Sequence, residues 1–314
     1  MKKVIIHMLK KYAILFSLLI ALLLLFENRN IPINKKSYFG NDVRRFQCTK
    51  AWNLAKAVED QNVWEIERQV RLLKVPVDCR DRINKFTPLM YAVYANKIRS
   101  VKTLLDLGAN PNLPNDTICS SGENAVIISS CSFYTSSADV LRLLLKYGGN
   151  PNSIEHGKKL DNSGNWELAR CTALGLAVPS TGDYEKVRIL VDAGADVNYR
   201  DGGVSCEALE NALLLDRMDV ALYLLEHGAD YTRKFCVIDE SNTTCYVDIL
   251  YMLRLNVFPL DSPEYRDKLK IVTFLKNKGM DYWKSPIPDR IPKVVQRIFG
   301  PMTDVELQEF LKRY

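Results

Sequence analysis

Cysteine is the residue type in this sequence whose number and placement most directly suggest chemistry. All eight cysteines follow an apolar N-terminal leader. An even number in that context is typical of an exported protein with disulfide bonds, whereas the alternative is a cytosolic fold with buried free thiols. Several of the cysteines fall in predicted loops, away from helix-core positions, and this favours disulfides. The eight are Cys48, Cys79, Cys119, Cys131, Cys171, Cys206, Cys236 and Cys245.

Spacing suggests two of the disulfide pairs. Cys236 and Cys245 are separated by eight residues of a predicted hairpin, and two facing strands bring Cα atoms within reach of a disulfide. Cys48 with Cys79 is the next candidate pair. The sequence does not assign the other four cysteines.

Histidine and carboxylate residues give weaker indications of chemistry. No CxxC motif is present and the three histidines, His7, His156 and His227, are scattered, so we predict no metal site and no cofactor. Glu207 and Glu210 could form an acid and base pair, yet both fall at the start of a predicted helix, where negative charge favours the macrodipole. Phosphate-binding loops, nucleophile elbows and zinc-protease motifs are absent from the sequence. We therefore expect that the chain is not an enzyme.

The helices that carry these residues follow a repeated pattern. Thr87-Pro88-Leu89 precedes Gly108 by 21 residues, which leaves room for two helices. Thr87 suits an N-cap, Pro88 suits the first helical position, and the glycine can close the second helix in the left-handed conformation. Each helix end combines a leucine-rich stretch, a glycine, a small residue and Asn or Asp. The copies are KTLLDLGANPN at 102–112, RLLLKYGGNPN at 142–152, RILVDAGADVN at 188–198, LYLLEHGADYT at 222–232 and, weakly, TFLKNKGMDYW at 273–283.

This combination resembles the ankyrin repeat over roughly residues 50–282. The resemblance implies an all-α ankyrin-repeat solenoid in which each unit contacts its neighbours. The first unit, near 49–78, keeps Leu54, Ala55, Val58 and a Leu72-Leu73 pair, and we interpret it as an atypical capping repeat. Successive glycines are farther apart than in the consensus, which predicts elongated hairpin fingers and an insertion between the two helices of the last repeat. These segments are 109–123, 149–171, 229–246 and, for the insertion, 256–268.

The ends of the chain show different patterns from the repeats. Residues 1–26 begin with lysines and continue as an apolar run from Ala13 to Phe26, which predicts an N-terminal membrane-targeting helix. A signal peptide and a signal anchor both fit, and the absence of a small-x-small cleavage site favours the uncleaved anchor. Residues 27–47 are predicted to be a flexible linker, and 48–314 the repeat domain with a C-terminal capping helix. In that helix, Thr303 and Glu306 match a capping box, followed by an apolar stripe of Leu307, Phe310, Leu311 and Tyr314.

The net charge of +6 does not indicate a nucleic-acid partner. Four of the lysines lie in the leader, and the remaining chain is nearly neutral without a basic stripe. Basic residues on both sides of the apolar run leave its orientation ambiguous by charge, while the short N-terminal tail favours export of the repeats. We expect a periplasmic protein, anchored to the inner membrane.

Aromatic residues are the expected partner contacts. Phe86 and Tyr94 align with the finger-tip and inner-helix positions that ankyrin proteins commonly use, and Phe133, Tyr134 and Trp166 lie on polar loops. The alternative is that each packs against its neighbouring repeat. The resemblance implies that the chain recognises a protein.

A lysine-led leader on an ankyrin domain resembles periplasmic ankyrin proteins of Gram-negative bacteria, some of which are immunity proteins against type VI secretion lipases. This resemblance implies an inhibitor that binds a toxic effector, such as a secreted lipase. The alternative is a membrane-tethered protein that stabilises or localises a resident periplasmic enzyme.

Overall fold

The computed structural model describes the repeat region and a few residues of the leader. These described parts fall into two compact units, one ending at Asn110 and one comprising Pro111–Tyr314. Among them, no helix is both long and apolar enough to cross a membrane, and most of the predicted leader and linker lies outside them. The described residues are 12, 14–18, 41–118, 120–131, 136–160, 166–179, 184–200, 207–238 and 243–314.

The first unit consists of short helices in antiparallel pairs. Its core is formed by apolar side chains that recur along each helix, among them the fully buried Leu54, Val58, Leu89 and Leu104. α1 packs on α3, and α2 packs on α4. The elements are a 3-10 turn at Val43–Phe46, α1 (Trp52–Glu59), α2 (Val63–Glu67) with a π-helical continuation (Arg68–Leu72), α3 (Pro88–Tyr94) and α4 (Ile98–Asp106).

The expected helix signals of this unit are present. The hydroxyl of Thr87 accepts a hydrogen bond from the amide of Met90 at 3.2 Å, and Pro88 occupies the first position of α3. Gly108 follows α4 with φ of +88°, a conformation that a side chain would strain. The prediction of a capped helix pair closed by glycine is therefore confirmed here.

The Leu72-Leu73 pair does not face the core. Leu72 is 73% exposed and Leu73 is 52% exposed. The amide of Leu73 donates to the carbonyl of Arg68 at 3.0 Å, an i to i+5 bond that gives this segment the wider π-helical turn. The altered turn places Gln69 inward and leaves both leucines in solvent, which corrects the expected inward orientation.

Residues 42–47 belong to the folded unit, although the sequence predicted a flexible linker through 47. Phe46 is completely buried and its ring meets that of Tyr91 edge-on, with centroids 5.9 Å apart. Val43 is buried beside it, and Asp42 caps the 3-10 turn by accepting from the amide of Arg44. The three-residue spacing of Val43 and Phe46 puts both on the inward side of this turn.

The second unit repeats the same helix pairs. α5, α7, α9 and α11 pack successively in one layer, while α6 packs on α8 and α10 on α12 in the other. The helices are α5 (Ala125–Ser130), α6 (Ala138–Lys146), α7 (Ala173–Ala177), α8 (Glu185–Asp192), α9 (Ala208–Leu214), α10 (Met218–Glu226), α11 (Ile249–Leu255), α12 (Pro263–Asn277), α13 (Ile291–Phe299) and α14 (Asp304–Arg313). A 3-10 turn, Tyr282–Lys284, links α12 to α13.

Two of the predicted fingers contain antiparallel hairpins. β1 (Lys158–Leu160) pairs with β2 (Trp166–Leu168) within finger 149–171, and β3 (Phe235–Ile238) pairs with β4 (Thr244–Val247) at finger 229–246. The predicted insertion at 256–268 is only partly a loop. Its second half begins α12, because Ser262 caps the helix and Pro263 occupies its first turn.

The expected cysteine pairs are not formed. Cys236 lies opposite Tyr246, and Cys245 lies opposite Val237, so the two cysteines occupy neighbouring rungs and point to opposite faces of the hairpin. Cys236 is an exposed free thiol. Cys48 and Cys79 are also free thiols, and burial raises the pKa of Cys79 to about 11. The structure therefore corrects both predicted pairings.

Cys171, which is 3% exposed, is disulfide-bonded.

The C-terminal helices close the second unit. The hydroxyl of Thr303 accepts from the amide of Glu306, and the Glu306 carboxylate accepts from the amide of Thr303 at 2.8 Å. Leu307 and Tyr314 of the last helical stretch bury against Ile291 and Val295 of α13. The helix expected at these residues is present, with its capping box and with Leu307 and Tyr314 of its apolar stripe buried.

Candidate protein-binding surface

Asparagine side chains hold successive fingers of the second unit together. The amide nitrogen of Asn112 donates to the carbonyl of Gly148 at 2.8 Å, and its oxygen accepts from the backbone amide of Asn150 at 2.8 Å. Asn152 makes the same two bonds one repeat later, to Gly194 at 3.1 Å and from Asp196 at 2.6 Å. Asn198 completes the series with Gly228 and Asp230, at 2.9 and 2.8 Å. We call Asn112, Asn152 and Asn198 the asparagine ladder.

The repeated D/N-x-N sequence explains this ladder. The first side chain of the motif forms a local turn, because Asn150 and Asp196 each accept from the amide two residues later, at 2.9 Å. The second side chain then reaches the capping glycine of the next repeat. In the fourth copy the second position is Thr232, whose hydroxyl donates to the carboxylate of Asp230. Thr232 therefore replaces the bridging asparagine, and the ladder ends at this copy. The fingers are thus fixed before any partner binds.

Glu207 and Glu210 are structural in this arrangement. Glu207 pairs with Arg200 at 2.6 Å and with the nearly buried Arg233 at 2.7 Å. Glu210 is 6% exposed and accepts from the backbone amide of Cys236 at 3.1 Å. Burial raises the pKa of Glu210, and the Cys236 hydrogen bond opposes that rise only partly. The two carboxylates therefore attach the finger and its hairpin to α9.

Phe86 is a core residue and not an exposed anchor. It is 4% exposed, and the guanidinium of Arg45 covers its ring at 3.6 Å from the centroid. The buried Arg45 also donates to Asp81 at 2.5 Å and bonds to Asn84. Asp81 in turn accepts from the amides of three consecutive residues beginning at Ile83. The local turn and its ion pair thus place the Phe86 ring inward, which corrects its predicted role.

The other predicted anchors are only partly covered by the described residues. Tyr94 is half-buried at the last position of α3. Phe133 and Tyr134 lie outside the described residues. Trp166 is the first residue of β2, but its side chain also lies outside what the structure describes.

The sequence reasoning missed an exposed apolar patch at the ends of two inner helices. Leu214 is the last residue of α9 and Leu255 the last residue of α11, so both occupy the position that Tyr94 holds on α3. Leu214 is 50% exposed and the next residue, Leu215, is 49% exposed. We call Leu214, Leu215 and Leu255 the leucine patch. The sequence contained a signal for this patch: when Leu89, Leu209 and Leu250 are aligned, Leu214 and Leu255 fall at the position of Tyr94.

The buried side chain of Asn256 joins the two helix ends of this patch. Its amide donates to the carbonyl of Leu213 and to the carboxylate of Asp216, both at 2.7 Å. Because these bonds bracket Leu214 and Leu215, they hold the end of α9 beside the end of α11. The leucine patch therefore has a fixed geometry.

An open cleft of about 530 Å³ lies along α13 and adjoins the leucine patch at Leu255. Its apolar lining is Leu255, Ile291 and Val294, and its polar lining is entirely basic, with Arg290, Lys293 and Arg297.

The structure describes two of the histidines, His227 and His156. His227 Nδ1 lies 2.7 Å from the carbonyl of Tyr223, and its ring packs on that of Tyr223 with centroids 4.0 Å apart. His156 lines a separate cleft of about 270 Å³ with asparagines of the fingers. Within the described residues, no three His, Cys, Asp or Glu side chains are grouped to hold a metal ion.

Comparison with known proteins identifies the repeats. Residues 54–155 match the model for ankyrin repeats in three copies, and residues 170–202 match the model for a further ankyrin repeat. The solved ankyrin repeat domain of Bcl-3, a member of the IkappaB protein family, is 23% identical and has a TM-score of 0.49. That similarity covers 73% of this chain and 86% of the other chain. No curated protein matches the sequence.

Proposed function

We propose that this chain, whose ankyrin repeats make it a protein-interaction module, holds its partner against the leucine patch of the second unit. The observation that carries the proposal is the exposure of Leu214 and Leu215, about half of each side chain, beside Leu255. Leu255, which is partly buried, lies next to them because Asn256 bonds to Leu213 and Asp216, and the three leucines make one apolar surface. Such a surface is typical of a binding site when polar residues surround it.

The fixed geometry of this surface supports tight binding. Ordering a flexible surface on association reduces the affinity, whereas a surface held in place beforehand avoids much of that loss. The asparagine ladder holds the fingers, and Asn256 holds the helix ends. Glu207 and Glu210 attach the last hairpin to α9 through Arg233 and the Cys236 amide.

We further propose that the module acts in the periplasm as an immunity protein that binds and neutralises a toxic effector, such as a type VI secretion lipase. The support is the membrane-targeting pattern of residues 1–26. Occupying a toxin requires recognition without chemistry, and the sequence carries no catalytic motif. The alternative is a membrane-tethered protein that stabilises or localises a resident periplasmic enzyme.

The test begins with the full-length chain purified together with its bound protein from the native envelope. Leu214→Ala and Leu215→Ala should each weaken binding, and a central anchor should lose about 2 kcal/mol or more. Val305→Ala is the control, because Val305 is 76% exposed on α14 and does not belong to the patch. All three variants should keep the wild-type melting temperature. Normal binding by both leucine variants would place the partner on another surface.

The two biological roles differ in the response of the partner. A recovered lipase whose activity falls when the chain is added, encoded by a neighbouring gene, would favour immunity. A partner that becomes more active or longer-lived would favour the stabilising role. Recovery of no protein at all would contradict the proposed interaction.

A further inference from the structure

The cleft beside the leucine patch has the form of a side-chain pocket. Its apolar floor is built from the last residue of α11 and the inward face of α13, which packs on the C-terminal helix. A volume of about 530 Å³ is enough for a bulky side chain together with part of its backbone. Since Leu255 belongs to both the patch and the cleft, a partner on the patch can reach into it.

Among the described residues, no carboxylate forms an ion pair with the basic side chains of the cleft. Elsewhere on the described surface, arginines such as Arg142 and Arg217 pair with carboxylates. Within the described chain, Arg290, Lys293 and Arg297 form no ion pair, and α13 has no acidic residue in its first turn. Their spacing of three and four residues places the three cations along one side of the helix.

The positive charges at the N-terminus of α13 are unfavourable for the helix in isolation, whereas Arg297 lies in its last turn. Arg290 is at the N-cap without a capping hydrogen bond, and Lys293 is in the first turn, where the helix macrodipole favours negative charge. Three neighbouring like charges also repel each other. A local arrangement of this kind, without a compensating contact inside the described chain, is expected at functional sites.

We infer that the cleft binds an acidic segment of the protein partner, with one bulky apolar side chain of that segment in the pocket and its carboxylates on Arg290, Lys293 and Arg297. This inference rests on the proposed protein binding and specifies its chemistry. An anionic membrane would satisfy the charges, but a flat bilayer surface does not fill a concave pocket. The combination of cleft and cations therefore favours a peptide segment.

Short synthetic peptides test this chemistry without knowledge of the partner. The probes are fluorescein-labelled peptides of about 12 residues with one Leu, Phe or Trp between glutamates, a length that spans a groove of this size in extended form. Two reference peptides replace every Glu with Gln or the apolar residue with Ala. The full-length chain is held in zwitterionic nanodiscs, and empty discs give the background.

Variants of the chain separate charge from shape. The triple variant Arg290→Gln, Lys293→Gln, Arg297→Gln should reduce affinity for the acidic peptides by about tenfold or more, and wild-type binding should weaken with salt. Val294→Trp should reduce it similarly by filling the cleft without changing charge. The matched control Lys146→Gln, Lys234→Gln, Lys276→Gln removes the same charge from other exposed positions and should bind like the wild type.

Each outcome decides the inference. Loss in both the triple variant and Val294→Trp, with the control unaffected, supports it. Equal losses in the triple variant and its control, or no effect of Val294→Trp and of the peptide Ala substitution, would show nonspecific charge attraction and overturn it. Absence of binding by the wild type to every peptide, or preference for vesicles containing phosphatidylglycerol, would also overturn it. The proposed function fails separately, when no protein is recovered from the envelope.

Discussion

The side-chain amide of Asn152 donates to the carbonyl of Gly194 at 3.1 Å, across two successive fingers of the second unit. The same side chain accepts from the backbone amide of Asp196. Asn152→Ala removes both bonds and should lower the free energy of unfolding by about 1 to 2 kcal/mol. Asn277→Ala, at the exposed end of α12, is the control and should change it little. Urea denaturation of both variants measures the difference, and equal stability would show that the ladder bond contributes nothing.

Arg45 and Asp81 form the buried ion pair that fixes Phe86 in the core of the first unit, with both side chains fully shielded from solvent. Arg45→Ala leaves the Asp81 charge buried without this partner and should cost about 3 to 5 kcal/mol. Arg44→Ala breaks the partly exposed pair with Asp42 and should cost about 1 kcal/mol or less. Denaturant titration compares the two. A loss for Arg44→Ala as large as that for Arg45→Ala would contradict this assignment.

Glu210 and Glu207 should respond oppositely to neutralisation. Burial raises the pKa of Glu210 above its ordinary value of 4.5, so its ionisation destabilises the folded chain increasingly as the pH rises above that value. Glu210→Gln keeps an oxygen for the Cys236 amide and should raise the melting temperature at neutral pH. The gain should disappear at about pH 4, where the wild-type carboxyl is protonated.

Glu207→Gln provides the contrasting measurement. It removes the charge that faces Arg233, whose side chain is only 5% exposed, and should lower the melting temperature at neutral pH. Thermal melts of both variants across this pH range test the pair. A lower melting temperature for Glu210→Gln at neutral pH would show that its carboxylate is net stabilising.

Tyr314 should contribute to the stability of the fold through its ring and not through its hydroxyl. The residue is fully buried, its hydroxyl has no hydrogen-bond partner within the described chain, and burial raises its pKa. Lys268 Nζ lies 3.9 Å from the centroid of the Tyr314 ring, and the ring of Phe310 stacks on it with centroids 5.8 Å apart. Tyr314→Phe should therefore be neutral or stabilising, whereas Tyr314→Ala should cost about 3 to 5 kcal/mol. Denaturant unfolding that ranks the two variants equally would contradict this view.

The repeat architecture could be predicted from the sequence because its signals are local. Gly108, Gly148, Gly194, Gly228 and Gly279 all take positive φ after their helices, between +85° and +90°. Thr87, Thr172 and Thr303 cap the helices that follow them. Such signals act within one or two turns of the chain, so they are the same in any tertiary setting.

The candidate site was less predictable because exposure depends on contacts between distant segments. Phe86 was expected on the surface, but Arg45 covers it from 41 positions earlier in the sequence. Cys236 and Cys245 have a suitable separation, yet the register of β3 with β4 places them on opposite faces. Leu72 and Leu73 resemble the inward leucine pairs of later repeats, but a π-helical turn leaves them in solvent.

The sequence by itself determined the helix pairs, their glycine ends and the capping helix, since each follows from backbone preferences and short-range hydrogen bonds. Only the tertiary structure decided which apolar side chains remain exposed. Leu214 and Leu209 are both leucines of α9, but Leu209 is buried and Leu214 is 50% exposed. The leucine patch and its basic cleft therefore become visible only when α9, α11 and α13 are packed, because their chemistry depends on side chains that meet across the fold.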